Sequence, residues 1–443
     1  MRLYKRLTKM RYTKNILLIL MIGCLATGFF SSCGDKDDPD TPESKAARTV
    51  LIYMCAENNL NSTYYTNDST EIVRGAANLP DNVNLIVYAD RSSKTIKPFI
   101  AKVDKRGMHI VKSYKEDFYS TDKGKMSEII NWVFTKYPAY SYAMSFWGHG
   151  NGWVTMPDQY TIKAKARRKA YGWDSGRDNT DGGDGYEKYI NIPELAEVLS
   201  ETPHLDYIFF DCCQMMCAEL TYELRNVCDY IIGSPAEIPG DGAPYEHIVP
   251  DFFLAKGNVG KAIVDDYISH SNFSLYDADG LPMSVVKTSN MENLLHATQS
   301  AIDTVMTHYQ YPNNLPVYDV IYYGINELAA KRPIYYDLRH IMRKYLSDSD
   351  FTTWDNTFKQ AVVYSVHPKD IKETGKCDWL STQLYSSHFN KFLMNDDNYG
   401  GLSMFIPQTY YSNVDSKKFL NPNVSIKAFQ WNKGIDWTKF GWE

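Results

Sequence analysis

Two side chains in this sequence have the types that nucleophilic catalysis needs, and each stands at the end of an apolar run. His149 lies in "SFWGHGNGW", between two glycines, after a stretch with the composition of a buried strand. Cys213 lies in "YIFFDCCQMM", after a second such stretch and before a segment, 214–227, with helical periodicity. A cysteine nucleophile requires a thiolate, an imidazole to take and return a proton, and donors for the oxyanion that develops at the attacked carbonyl. With a helix directly behind it, Cys213 would meet amide N–H groups and a helix dipole that favour a negative sulfur. The glycines beside His149 permit a sharp turn and leave the N–H of Gly150 unobstructed, so Gly150 and Cys213 are the expected oxyanion donors.

Taken alone, either residue has a plainer reading. Free cysteine usually behaves as a small buried hydrophobe, and Cys55, Cys217, Cys228 and Cys377 are assigned to that class. A lone histidine is likewise most often a satisfied structural group. Position in the chain raises this pair above that reading. Strand-like runs at 49–56, 82–90, 141–148, 205–213 and 228–235 alternate with amphipathic segments, the order of a mostly parallel sheet covered by helices. The segments 99–103 and 108–114 read as a hairpin. In 125–137, Met126, Ile129, Ile130, Val133 and Phe134 recur at helical spacing. Asn191 with Glu194 three residues on reads as a capping box that opens the next helix. His149 and Cys213 then lie at the carboxyl ends of adjacent strands, the edge where open α/β sheets bind ligands. Strand alternation sends Asp211 and Cys213 to one side and Phe210 and Cys212 to the other, so the two neighbouring thiols point apart.

The blocks Gly148-His149-Gly150, Asp211-Cys212-Cys213-Gln214-Met215 and Ser234 to Gly242, which ends in P-G-D-G, follow one another in the order seen in the clostripain family of cysteine peptidases, which they resemble. The resemblance implies a caspase-like α/β/α sandwich with a mostly parallel central sheet and a smaller C-terminal unit. Histidine upstream of cysteine agrees with the caspase-like order and not with the papain-like one. The family has a small residue where this chain has Cys212, and the motif register selects Cys213 as the nucleophile, with His149 as its partner. By the same resemblance Asp211 and Asp241 line the specificity pocket. A buried carboxylate is costly without a cation, and a substrate Arg or Lys supplies one, Arg with a bidentate fork. Asp241 also has a simpler reading as a turn residue. In family members a self-processing site lies between histidine and cysteine, which makes Lys163, Lys165, Arg167, Arg168 and Lys169 the candidates here. The expected domain therefore covers 48–310 with an insertion at 154–188, followed by a C-terminal subdomain at 311–443.

The chain of 443 residues carries a net charge of −6 and no basic patch interleaved with aromatics, which excludes nucleic acid as the expected partner. Its partners on this reading are peptide substrates with Arg or Lys at the cleavage site. The first thirty residues differ in kind. Arg2, Lys5, Arg6, Lys9, Arg11 and Lys14 precede the apolar run "ILLILMIGCLATGFF", which reads as an export signal. An uncleaved anchor helix is the alternative, since the run is only modestly shorter than the roughly 20 residues needed to span a bilayer. The passage through "SSC" into an acidic tether at 33–47 resembles a bacterial lipoprotein signal. Residues 1–32 would then be removed and Cys33 lipidated, with Cys24 as the rival, placing the protein at the outer membrane or cell surface and in contact with the membrane through that lipid.

Eight cysteines in a chain this long need no disulfide framework, and their spacing fits no zinc site. Asp174, Asp178, Asp181 and Asp184 stand among glycines but lack the EF-hand order. The expectation is no organic cofactor, with calcium left open because some family members depend on it. The competing function class is a noncatalytic surface lipoprotein that binds glycan or protein through some of its 34 tyrosines and 9 tryptophans.

Overall fold

The computed structural model describes residues 42–155, 170–176, 187–276, 278–309, 315–317, 319–326, 332–379, 392–413 and 421–440. Cys33, the basic run 163–169 and Asp178, Asp181 and Asp184 lie outside them. Apart from four two-residue strands, the described strands are β1 (Ala46–Ala56), β2 (Val83–Arg91), β3 (Phe99–Asp104), β4 (Gly107–Ser113), β5 (Ala139–Trp147), β6 (Tyr171–Asp174), β7 (Lys188–Ile190), β8 (Leu205–Asp211), β9 (Cys228–Gly233), β10 (Met283–Lys287) and β11 (Val362–Val366). Nine of them form one sheet in the order β11-β10-β9-β8-β5-β1-β2-β3-β4. The five central strands, β9 to β2 in that order, pair in parallel. Antiparallel pairs close both edges.

Burial explains why the central strands read as unbroken apolar runs. Every residue of β1 from Val50 to Ala56 is fully buried, so both faces of the strand are covered. The covering helices include α1 (Thr63–Gly75), α2 (Lys123–Lys136), α3 (Ile192–Ser200), α4 (Ala218–Glu223), α5 (Tyr245–Asp251) and α6 (Lys256–His270). In α2 the five residues at helical spacing are the buried ones, and the Asp122 carboxylate caps the helix by accepting from the Lys125 N–H. The Asn191–Glu194 capping box opens α3.

Residues beyond 310 buttress the same sheet. β11 adds its edge strand, and the Ser403 N–H donates to Met216 O at 3.0 Å. Buried Glu219 accepts from the Phe405 N–H at 2.8 Å, and a fork of Arg339 grips Asp355 at 2.5 and 3.0 Å. Pro42–Glu443 is one compact unit.

Candidate active site

Register brings the two candidate residues together. β5 and β8 are parallel neighbours with Trp147 opposite Asp211, so His149 and Cys213, each two residues further, leave the same sheet edge side by side. The backbones there are in contact. The Gly148 N–H reaches Asp211 O at 3.4 Å, and a Cβ built on Gly150 would lie 2.7 Å from Cys213 O and 2.8 Å from Cys212 Cβ. Gly148, at φ +143°, adopts a conformation that side chains disfavour, which lets the chain turn where the strand ends. His149 and Cys213 are both half-buried and so within reach of a substrate.

Cys212 is placed differently. Its side chain is fully buried, its thiol donates to Phe146 O at 3.2 Å, and burial pushes its ionisation well above the ordinary thiol range. Alternation has sealed one thiol into the core and left the other at the edge.

The imidazole is held from the far side. His149 Nε2 lies 2.8 Å from Asn59 Oδ1, and its ring packs 5.2 Å from that of Trp173. An accepting amide oxygen keeps the proton on Nε2 and leaves Nδ1 as the base. Asn59 sits in a loop that follows β1 and is itself pinned: the Asn58 amide donates to Cys55 O and Trp173 O at 2.9 and 2.6 Å. Nothing in the sequence marks Asn59, because it belongs to no motif and meets His149 only through the pairing of β1 with β5.

The helix expected directly after Cys213 is absent. α4 begins at Ala218, and the intervening amides pair elsewhere: the Gln214 N–H donates to Ala236 O at 2.8 Å and the Met216 N–H to Ser234 O at 3.1 Å. These bonds run opposite to the parallel β8–β9 register, folding 214–216 back along 234–236, and leave no helix dipole at the sulfur. Gln214 instead adopts a left-handed backbone, φ +62°, a strained conformation for a residue with a side chain and one that clusters at functional sites.

Asp211 ends β8, 2% exposed, with Oδ2 accepting from the Ala243 N–H at 3.2 Å and the Tyr245 hydroxyl at 3.1 Å. Burial pushes its carboxyl up to about 6. Next to it lies a residue the sequence reading missed. Asp68 shares the buried stripe of α1 with Tyr65, Ile72 and Gly75, and accepts from the Trp147 indole at 2.6 Å. Burial first, and the neighbouring Asp211 second, push it up to about 9. A carboxylate on an otherwise apolar helix stripe was the available sign. The P-G-D-G turn covers this pair: a Cβ on Gly242 would lie 3.0 Å from Asp68 Oδ2 and 3.1 Å from Asp211 Oδ2. Glycine at that position lets the turn's backbone lie close against both carboxylates, where a side-chain carbon would crowd them. Asp241 is exposed in the turn and adds its charge to the field on Asp68.

The close approach at Gly150 makes a test. Gly150→Ala is expected to lower kcat/KM by about 10²-fold, because the new methyl meets backbone that cannot yield without shifting the His149 and Cys213 edges apart. Gly257→Ala, where no atom lies within 4 Å of the added carbon, is the control and should leave kcat/KM unchanged.

Residues 52–442 match the clostripain family of peptidases. The chain belongs to that family. Membership makes it a cysteine protease, a hydrolase. Among clostripain-family relatives, the clostripain of Hathewaya histolytica is 22% identical over 465 residues, covering 90% of this chain and 82% of that protein. A secreted C11 cysteine protease from Bacteroides thetaiotaomicron, solved with an irreversible peptide inhibitor, aligns with TM-score 0.66 at 27% identity, covering 89% of this chain and 99% of that one. An inactive zymogen C11 protease from Parabacteroides distasonis aligns with TM-score 0.67 at 25% identity, over the same shares of the two chains. The caspase-like α/β architecture expected from the sequence is therefore the one found, with a nine-stranded mixed sheet at its centre.

Proposed function

We propose that this protein is an exported, lipid-anchored endopeptidase that cleaves peptide bonds after Arg or Lys and is activated by a cut within its own 154–188 insertion. The observation that carries the specificity is the buried acid pair, Asp68 and Asp211, beneath the Gly242 turn at the sheet edge that bears His149 and Cys213. A cation entering there meets two carboxyl groups, with Asp241 at the rim, in surroundings that exclude water and strengthen the attraction.

With the substrate cation held by that pair, the thiolate of Cys213 attacks the adjacent carbonyl carbon. A C–S bond forms as the carbonyl pair moves onto oxygen, where the amides of Gly150 and Cys213 receive it. The Gly150 amide is disposed for this. The bonds flanking it, Gly172 N–H to His149 O and Asn151 N–H to Ala170 O, turn it away from the 170–172 strand. Collapse expels the amine with a proton from His149. Water, deprotonated by His149, then cleaves the thioester and restores the thiol. Every step uses side chains and amides of this chain, with no organic cofactor.

Activation by processing is supported by the relative described as an inactive zymogen and by the basic residues 163–169 in the insertion. Export is supported by the relative described as secreted, and the lipid anchor by the Cys33 context. Fluorogenic peptides ending in Arg, Lys or Asp test the pocket: Arg and Lys peptides should turn over and the Asp peptide should not, and turnover of the Asp peptide alone refutes the assignment. Mass spectrometry of the native protein should find a lipid on Cys33 and a new terminus within 163–169. A highly purified Cys213→Ala protein that still splits there would rule out self-cleavage.

A further inference from the structure

The amide of Gly150 belongs to a short loop, 149–152, whose peptide planes are held one by one. His149 O accepts from the Gly172 N–H at 2.8 Å, which orients the plane carrying the Gly150 N–H, and the Asn151 N–H donates to Ala170 O at 3.0 Å. The next plane, Asn151 to Gly152, is gripped from far along the chain. The Tyr335 hydroxyl donates to Asn151 O at 2.8 Å and lies 2.7 Å from Asn151 Oδ1, across 184 positions. The Val154 N–H also reaches Asn151 O, at 3.2 Å. Of these clamps Tyr335 alone comes from outside the 154–188 insertion. Tyr335 is 1% exposed and Asn151 3%, so water does not compete for the bond.

The ring of Tyr335 stands against the second donor segment as well. A Cβ built on Gly152, at φ +53°, would lie 2.6 Å from Gln214 O and 3.2 Å from Tyr335 Cε1, and one built on Gly324 would lie 3.1 Å from Tyr335 Cδ2 and closer still to Gln214 Nε2. The ring thus fills the junction of 150–152, Gln214 and Gly324. Asn151 and Gln214 are each one residue along the chain from an amide assigned to the oxyanion, Gly150 and Cys213. Tyr335 is itself firmly mounted. The stretches 321–324 and 334–337 pair antiparallel, with the Tyr323 N–H donating to Tyr335 O at 2.9 Å and the Asp337 N–H to Ile321 O at 2.8 Å. Buried Asp337 then accepts from the N–H groups of His340, Gly400 and Gly401 at 2.8, 3.0 and 3.1 Å. A hydroxyl mounted in this way sets the position of Asn151 and does not follow it.

We propose that Tyr335 is a positioning residue for the oxyanion site: its hydroxyl holds the Asn151 peptide so that the Gly150 N–H meets the carbonyl oxygen as charge develops there. The proposal rests on the reading of His149 and Cys213 as the catalytic pair. Tyr335 acts through Asn151 and donates nothing to the substrate. An oxyanion donor is worth more in the transition state than in the bound ground state. A small displacement of the Gly150 amide therefore lowers kcat, while substrate binding and the reactivity of the thiolate stay as they were.

The test compares Tyr335→Phe, which keeps the ring and removes only the hydroxyl, with Tyr207→Phe. The latter removes a hydroxyl of the same kind, buried and donating to Phe252 O at 2.9 Å, from the body of β8. Full chains, matched to wild type in processing by mass spectrometry, are assayed on whichever of the Arg, Lys and Asp fluorogenic peptides the wild type cleaves fastest. Expected for Tyr335→Phe is a kcat about tenfold lower with KM within about twofold of wild type. The aldehyde of the same peptide reads the oxyanion site directly: the Cys213 sulfur bonds its carbon, the thiol proton passes to its oxygen, and that oxygen lies where the oxyanion would. Its Ki should rise about tenfold, in step with the loss of kcat. Alkylation of Cys213 by iodoacetamide, which needs the thiolate and no oxyanion donor, should stay within about twofold. Tyr207→Phe should lower Tm by a similar amount and leave kcat and Ki unchanged. Should Tyr335→Phe fail to fold, Asn151→Ala, which removes the Oδ1 contact, should move kcat and Ki together in the same way. A Tyr335→Phe enzyme equal to wild type, or one whose alkylation rate falls in step with kcat, overturns the proposal alone. A wild type no faster than Cys213→Ala overturns the catalytic reading and the proposal with it.

Discussion

Cys213→Ala is expected to remove peptidase activity, lowering kcat by at least about 10⁴-fold, while Cys212→Ala, one residue away, keeps kcat within a few-fold. The contrast follows from where alternation puts each sulfur. Cys213 is half-buried at the open edge beside Gly150, whereas Cys212 is sealed with its thiol donating to Phe146 O. Loss of the Cys212 sulfur should instead appear as stability. A small cavity and a lost weak hydrogen bond cost about 1–2 kcal/mol, read as a lower Tm with unchanged Michaelis parameters. Alkylation with iodoacetamide followed by mass spectrometry should modify Cys213 in the folded protein and spare Cys212. If Cys212→Ala were the dead enzyme and Cys213→Ala the destabilised one, the assignment of the nucleophile would be reversed.

Much of this arrangement was legible before any coordinates. β1, β2, β5, β8 and β9 are parallel and covered on both faces, so each leaves an unbroken apolar run in the sequence. Their alternation with helices places His149 and Cys213 at one edge without further information. The segment 214–217 misled for a physical reason. Met215, Met216 and Cys217 are all fully buried, so the apolar pattern there has no polar face to fix its period, and the contacts that decide the conformation come from Ser234 and Ala236. β10, five residues long and antiparallel to β9, carries too little pattern to stand out. Asn59 and Asp68 escaped for a different reason. Each acts with partners from other segments, and those partners become neighbours only once the order β5-β1-β2 and the packing of α1 on the sheet are known.

The acid pair under Gly242 makes the second large prediction. Asp211→Asn is expected to lower kcat/KM for Arg and Lys peptides by about 10²–10³-fold, the usual loss when one member of a buried charge pair is neutralised. Its pH signature separates a binding carboxylate from a structural one. Burial pushes Asp211 up to about 6, above the value near 4 of an unfolded chain, so the folded protein holds this proton the more tightly. The group's contribution to stability is therefore full below about pH 4, declines as pH rises toward 6 and stays lost above it. A bound guanidinium acts in the opposite sense, because it favours the ionised form. Agmatine, which offers the cation without a scissile bond and so does not depend on the state of Cys213, should bind about tenfold more tightly at pH 7 than at pH 5, and Asp211→Asn should bind it weakly at both. Asp68, held up to about 9, remains the protonated partner across that range, so Asp68→Asn should leave most of the pH dependence in place. An agmatine affinity that is flat between pH 5 and 7, or equal in wild type and Asp211→Asn, would mean that the cation enters elsewhere and that Asp211 serves only to anchor the Ala243 and Tyr245 end of the turn.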